Sequence, residues 1–342
     1  MQKIIGWDIG GAHVKAACIE GGRVVSVRQL ACPLWLGADR LAPVLATLRA
    51  AFGPADLHVA TMTGELADVF PDRRHGVLAI VDELMRALPV ESLRFYAGRG
   101  GIVEASAVAR HVGDIASANW HASAALAARH GDGLLVDIGS TTTDIVPLRD
   151  GGVCARGYTD AERLGCGELV YTGLTRAFVM AMGGRAPFGG AWTTLAAEYF
   201  ASAADVHRIL GTLDEAADQM ESADGRAKTT EASRARLARM IGRDAGDAGD
   251  ADWHGLAVWF AEMQLRQIHD GALLVLSGAG LPPDAPVVAA GVGGAIVRRL
   301  AERLGRRCVS FGGLFGDGAA AGGIDWVDGC APAVAVALLA SG

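Results

Sequence analysis

The sequence has no surplus of positive charge. Its 342 residues carry 31 Lys and Arg against 38 Asp and Glu, a formal net charge of −7. No basic envelope is therefore offered to nucleic acid, and an anionic small molecule has to be held by local dipoles, a metal ion or a few placed cations. There is no CxxC pair either. The six cysteines, Cys18, Cys32, Cys154, Cys166, Cys308 and Cys330, lie far apart, which excludes a zinc ribbon or thioredoxin motif and argues against a disulfide framework. No charged leader with an apolar h-region precedes the first strand pattern, and the most apolar stretch, residues 331–340, is too short to span a bilayer. The expected setting is a reducing cytoplasm, with no membrane and no nucleic acid as partner.

What is present is an ordinary globular composition, 51% hydrophobic and 20% charged, long enough for two domains with a core each. The start reads as a three-stranded meander over 3–8, 13–20 and 23–30, punctuated by Gly10-Gly11 and Gly21-Gly22; glycine pairs between β-rich runs are hairpin signals. Helix 38–51, strand 57–62, helix 76–88, strand 94–97 and a helix near 120–130 follow, which is α/β grammar. At Gly133 the grammar restarts, with strands over 134–138, 142–148 and 153–158 and a helix over 167–182. A helix-rich insertion spans about 187–263, then come strand 287–290, helix 293–304 and strand 307–311. The expected domains are 1–130, joined by a C-terminal helix over 313–342, and 131–312.

The restart is a repeat. A shift of 129 residues lays Asp8-Ile9-Gly10 on Asp137-Ile138-Gly139, Gly11 on Ser140, and Lys15 on Asp144. In the first copy, Asp8-Ile9-Gly10-Gly11-Ala12-His13-Val14-Lys15, a glycine hairpin lets backbone N–H groups of Gly10, Gly11, Ala12 and His13 converge on phosphate oxygens. Glycine leaves room for close approach and admits positive φ. Asp8 repels phosphate but suits a hydrated Mg²⁺, and Lys15 supplies a point charge. The second copy repeats the plan with hydroxyls: Gly139, Ser140, Thr141, Thr142 and Thr143 line the turn, Asp137 is the metal-facing carboxylate, and Asp144 stands where Lys15 stands. Either loop alone reads as a plain turn; two copies in register point to a clamp for a di- or triphosphate.

A third piece, Val287-Val288-Ala289-Ala290-Gly291-Val292-Gly293-Gly294, is a strand ending in glycines that open a helix, a place for an anion or nucleotide or simply a packed turn. Arg236, Arg239 and Arg243 share a spacing of one helix face and serve either a ligand or solvent. Asn119 and Trp120 line a ligand site or fill a core. Cys166 sits between glycines before the expected helix and is weighed as a thiol activated by that N-terminus. Asp144 and His13 both stand as candidate general bases.

These three motifs resemble the two phosphate loops and the adenosine loop of the actin-like ATPase superfamily. The resemblance covers nearly the whole chain and implies two ribonuclease-H-like domains with a cleft between them. Thr61-Met62-Thr63-Gly64-Glu65-Leu66-Ala67-Asp68, Ser117-Ala118-Asn119-Trp120 and the second loop are similar to signatures of the hydantoinase A/oxoprolinase family. Trp35, Glu198-Tyr199-Phe200-Ala201, Ala223-Asp224-Gly225-Arg226, Arg236-Leu237-Ala238-Arg239-Met240 and Cys330-Ala331-Pro332-Ala333 are similar to a short branch of it, linked to tetrahydromethanopterin one-carbon metabolism. That branch implies a methanofuran- or methylofuran-type transferase. It would join an aminomethylfuran-methyl diphosphate to the phenol of γ-glutamyltyramine, with water-mediated Mg²⁺ at Asp8 and Asp137 and release of diphosphate. Two alternatives remain: an ATP-dependent hydrolase or small-molecule kinase, with ATP at Gly291, Gly293 and Gly294, and a non-catalytic nucleotide-sensing protein. The partners implied are small-molecule diphosphate and phenolic amine substrates, with a homodimer left open.

Overall fold

Every residue of Lys3–Ile9 except the first is buried, the mark of a strand covered on both faces. This is β1, the centre of a six-stranded sheet that also contains β2 (His13–Glu20), β3 (Arg23–Ala31), β4 (Leu57–Met62), β5 (Leu93–Tyr96) and β6 (Ile102–Glu104). The order is β3-β2-β1-β4-β5-β6. β1, β2 and β3 form the antiparallel meander, β4 and β5 run parallel to β1, and β6 returns antiparallel. Gly21 and Gly22 have φ of +56° and +77°, which the two-residue hairpin between β2 and β3 requires. The computed structural model describes residues 1–318 and 326–341.

Side chains alternate across β1. Ile5, Trp7 and Ile9 share one core with Leu41–Phe52 and Arg73–Ala87, the helices after β3 and β4. Gly6, on the opposite face, meets helix Ala331–Ala340: a Cβ there would lie 1.9 Å from the Ala333 carbonyl oxygen. Helix Asn119–Ala128 packs on the same helix. This first unit comprises Met1–Gly133, Leu148–Cys154 and Val309–Gly342. Regular helix near the C-terminal side is confined to Ala331–Ala340, Gly312–Gly318 being a 3-10 segment; positions 319–325 and 342 of the expected 313–342 helix lie outside the described residues.

The second unit, Leu134–Pro147 with Ala155–Cys308, holds most of β7 (Gly133–Ile138) and β8 (Thr143–Arg149), with β10 (Leu169–Val170), β11 (Arg185–Phe188), β12 (Ala191–Thr194) and β13 (Val287–Ala290); β9 (Gly152–Val153) and β14 (Cys308–Ser310) belong to the same sheet, although β9 and most of β14 are counted with the first unit. Its sheet order is β10-β8-β7-β13-β14, with β9 beside β8; reading outward from β7, it repeats the plan around β1. One expectation fails here. Residues 153–158 are not a full strand and 167–182 are not a helix. Thr159 and Glu162 form a capping box that starts a helix at Asp160–Cys166, and Gly167 at φ +79° stops it. The chain then adds β10 antiparallel to β8. The insertion holds the β11–β12 hairpin and helices Ala203–Ile209, Thr230–Arg239 and Asp250–Ala279, packed around Trp253, Phe260 and Leu237. No helix among the described residues is long and apolar enough to cross a membrane.

Candidate functional site

In the first unit Asp8 ends β1, directly opposite Lys15 in the antiparallel register and beside Thr61 in the parallel one. Lys15 Nζ lies 3.9 Å from Asp8 Oδ2, and Asn119 Nδ2 donates to Asp8 Oδ1 at 3.4 Å. Asn119 Oδ1 in turn accepts the Trp120 N–H at 2.7 Å, which fixes the amide's orientation. The Thr61 hydroxyl is fully buried with no hydrogen-bond partner among the described residues, a cost unless a ligand or water meets it. The hairpin is closed by Gly10 N–H to the His13 carbonyl, 3.0 Å, and seated by Cys32 and Leu34 N–H on the Ala12 and Gly11 carbonyls. His13 is buried at the start of β2.

Neither Gly10, Gly11 nor Gly139 adopts positive φ, so the expected conformational need for glycine does not arise at these positions. At Gly10 a Cβ would press on the His13 carbonyl at 2.9 Å; at Gly11 it would meet nothing within 4 Å. Gly11 thus leaves open space over the hairpin, room that an incoming oxygen could use.

The segments singled out around this loop meet there. Thr63 N–H donates to the Ile9 carbonyl. Glu65, buried just beyond it, accepts from the Ser117 hydroxyl at 2.8 Å, and Ser117 holds φ +53°, a strained value for a non-glycine residue. The next turn delivers Asn119 to Asp8.

In the second unit Asp137 ends β7 as Asp8 ends β1, 6% exposed and beside Ala290 of β13. Its turn is held from beneath. Leu174 N–H donates to the Gly139 carbonyl, and Thr175 and Arg176 N–H both donate to that of Ser140. Thr143 Oγ1 donates to the Thr172 carbonyl at 2.7 Å. Gly173 lies so close that a Cβ would come within 2.6 Å of Thr141 N. Gln264, buried on the long helix, donates to the Gly173 carbonyl and the Thr172 hydroxyl. Ser140 and Thr141 hydroxyls stand 3.5 Å apart, and Arg176 Nη1 approaches Thr141 Oγ1 at 3.4 Å. Thr142 gives its carbonyl to Gly139 N–H.

Asp144 is 2.8 Å from Nη1 of Arg163, whose side chain is 1% exposed. That ion pair occupies one oxygen of the Asp144 carboxylate. The 291–294 turn packs on Asp137 itself. Gly291 has φ +78° and a Cβ there would lie 2.3 Å from Asp137 Oδ1; at Gly293 it would strike the Ile138 side chain. These two glycines are accounted for by the chain's own packing, and Gly294 opens helix Gly294–Arg303.

Arg236 is fully buried, bound to Asp205, Asp224, Ser233 and the Ala227 carbonyl. Arg239 pairs with Asp224 at 3.2 Å. Burial would raise the Asp224 carboxyl, but the Arg226 N–H and the guanidinia of Arg236 and Arg239 outweigh it and hold it below the ordinary range. Arg243 lies beyond the end of that helix, over the Phe188 ring, so the three arginines do not share a helix face. Cys166 ends its helix instead of preceding one, and burial pushes its thiol upward, so the activation expected from a helix N-terminus is absent.

Sequence reasoning missed Arg163, Thr172, Gly173, Arg176 and Gln264. Their roles depend on which backbone they reach, and only a Thr-Gly-x-Thr run gives a local hint.

The family model described as hydantoinase/oxoprolinase matches residues 56–314, which contain the second loop, its support and both signature segments of the first unit. The chain belongs to the hydantoinase/oxoprolinase family. Among curated members, (4-{4-[2-(gamma-L-glutamylamino)ethyl]phenoxymethyl}furan-2-yl)methanamine synthase of Methanocaldococcus jannaschii is 33% identical over 243 residues, 70% of this chain and 72% of that one. The protein of the same name from Methanococcus vannielii is 29% identical over 43% of this chain and 66% of its own. A nucleotide-free acetone carboxylase structure covers 89% of this chain and 67% of its own with a TM-score of 0.55 at 12% identity, a likeness of fold. Each unit of this hydantoinase/oxoprolinase member carries a ribonuclease-H-like sheet plan.

Proposed function

We propose that the chain is a transferase of methanofuran- or methylofuran-type carrier biosynthesis, condensing an aminomethylfuran-methyl diphosphate with the phenol of γ-glutamyltyramine. The observation that carries this reading is the repeated Asp-Ile-Gly hairpin, one per unit, in a chain similar to a synthase whose named product is a phenoxymethylfuran ether. The bond from the furfuryl carbon to the diphosphate oxygen breaks, and the electron pair leaves with diphosphate. The furan ring spreads the positive charge left on that carbon. The phenol oxygen then bonds to it and gives up its proton.

The protein's task is to hold the diphosphate and to favour the charge it gains on leaving. Backbone N–H groups of 11–13 and 140–142, the hydroxyls of Ser140 and Thr141, and Lys15 suit that task; the Gly10 and Gly139 N–H groups close their own hairpins. The carboxylates of Asp8 in the first unit and of Asp137 in the second are each of a kind that takes hydrated Mg²⁺, and the orphaned Thr61 hydroxyl beside Asp8 suits a metal-bound water. No group of three or more metal-ligating side chains occurs among the described residues; Mg²⁺ commonly keeps several waters and shares substrate phosphates. Bound there, Mg²⁺ would supply charge neutralisation to the departing diphosphate.

The test is to incubate purified protein with both substrates and Mg²⁺ and to measure diphosphate and ether together. Equal amounts of the two are expected, with a loss of a hundredfold or more in Asp8→Asn and Asp137→Asn, about 3 kcal/mol of transition-state stabilisation. Absence of diphosphate release would sink the reading. A second reading, ATP-dependent hydrolysis or phosphoryl transfer, is favoured by the strand–glycine–helix turn at 291–294; ADP formed from ATP in the same assay, with no furan diphosphate present, would select it.

A further inference from the structure

We propose that Arg176, Phe178 and Tyr199 form a subsite for a ring-bearing anion beside the second phosphate loop, Arg176 taking a phosphate oxygen and the two aromatic rings stacking on the attached ring. This rests on the reading above and adds to it the feature that selects an aromatic or heteroaromatic diphosphate over diphosphate itself.

Three observations converge. Arg176 is anchored to the loop twice, by its N–H on the Ser140 carbonyl at 2.8 Å and by Nη1 near Thr141 Oγ1. Two residues on, Phe178 packs against Tyr199 with ring centroids 4.3 Å apart. Both rings remain exposed, 39% and 41%. Exposed aromatic pairs next to a cation are the usual composition of a ring-recognition site.

The backbone holds these groups in place. Phe178 is extended and bridges Ser202, Val179 N–H donates to the Ala201 carbonyl, and Ala203 and Ala204 N–H donate to the carbonyls of Ala177 and Thr175. Arg176 itself lies in the turn that leads into Phe178. Burial lowers the Arg176 pKa, opposed by the phenols of Tyr199 and Tyr171. Burial likewise raises Tyr199, so its phenol stays protonated and does not repel an anion.

The experiment compares calorimetric binding of methylenediphosphonate with that of its furfuryl phosphinate analogue, in which a carbon–phosphorus bond replaces the scissile carbon–oxygen bond, both with Mg²⁺ and full-length protein. Wild type should bind the ring-bearing ligand about tenfold more tightly. Phe178→Ala and Tyr199→Ala should each remove about 3- to 10-fold of that advantage and leave methylenediphosphonate binding unchanged. Tyr199→Phe should retain the advantage, which a folding defect would not allow. Arg176→Gln should weaken both ligands about tenfold. Equal wild-type affinity for the two ligands, or ring variants that keep the preference, would overturn the subsite. A ring preference without turnover on the full substrate pair leaves the subsite standing and removes the transferase reading; turnover unaffected in the ring variants does the reverse.

Discussion

Lys15 is one of three lysines in a chain with 31 Lys and Arg, and it sits where an arginine fork would have to fit beside Asp8 in the strand register. A compact ammonium and a planar guanidinium are not interchangeable at such a place. Lys15→Arg, which keeps the charge, is therefore expected to lower the rate of diphosphate release at least tenfold with an unchanged melting temperature; a rate equal to wild type would show that charge alone suffices. His58 gives a second residue-level prediction. It is buried, accepts the Trp7 indole N–H at 3.3 Å, and has its pKa pushed down to about 4, by burial first and Arg49 second. Between pH 4 and 6.5 the unfolded chain binds the proton and the folded one does not, so stability falls as pH drops through that window. The loss approaches about 3 kcal/mol below pH 4. His58→Gln, which keeps an acceptor for Trp7, should flatten that limb in urea titrations at pH 7, 5.5 and 4.5. The pairing of Asp8 with Lys15 follows from strand alternation across a short hairpin and could be read in the sequence. The pairing of Asp8 with Asn119, the chain's single asparagine, could not, since it joins residues 111 apart.

Among elements, the seven-residue helix Asp160–Cys166 shows how a short signal outranks a longer pattern. Thr159-x-x-Glu162 specifies its start and Gly167 its end, yet the helix expected after the strands lay downstream, over 167–182. Tertiary pairing decided the matter, because Leu169 and Val170 complete the edge of the sheet beside β8. Thr159→Ala should cost about 1 kcal/mol, a fall of about 2–4 °C in melting temperature; no fall would mean that sheet and packing hold the helix without its cap. The same helix brings Arg163 to Asp144, so fraying should also loosen the start of β8. The first meander, β4, β7, β8 and β13 were legible because buried strands have few alternatives. The support under the second loop was not, because it depends on Gln264 reaching residues 92 and 91 positions away.

For the whole molecule, the repeat of 129 residues was the strongest fold signal, since two copies of a carboxylate hairpin each needed their own sheet. What no local pattern revealed is how closely the C-terminal helix is seated on β1. Gly6→Ala would drive a Cβ into the Ala333 carbonyl, at an expected cost of about 3 kcal/mol; an unchanged urea midpoint would show that the helix is not seated there. That seating also has a consequence in time. Cys330 donates to the Arg28 carbonyl across 302 positions of sequence, and the first unit draws on Val309–Gly342 for its cover. On a ribosome adding about 5–20 residues per second, β1 emerges first and then waits on the order of tens of seconds with one face bare. The unit encoded later is the first to have all of its chain, and a nascent chain stalled at residue 308 should present a protease with a vulnerable beginning and a guarded middle.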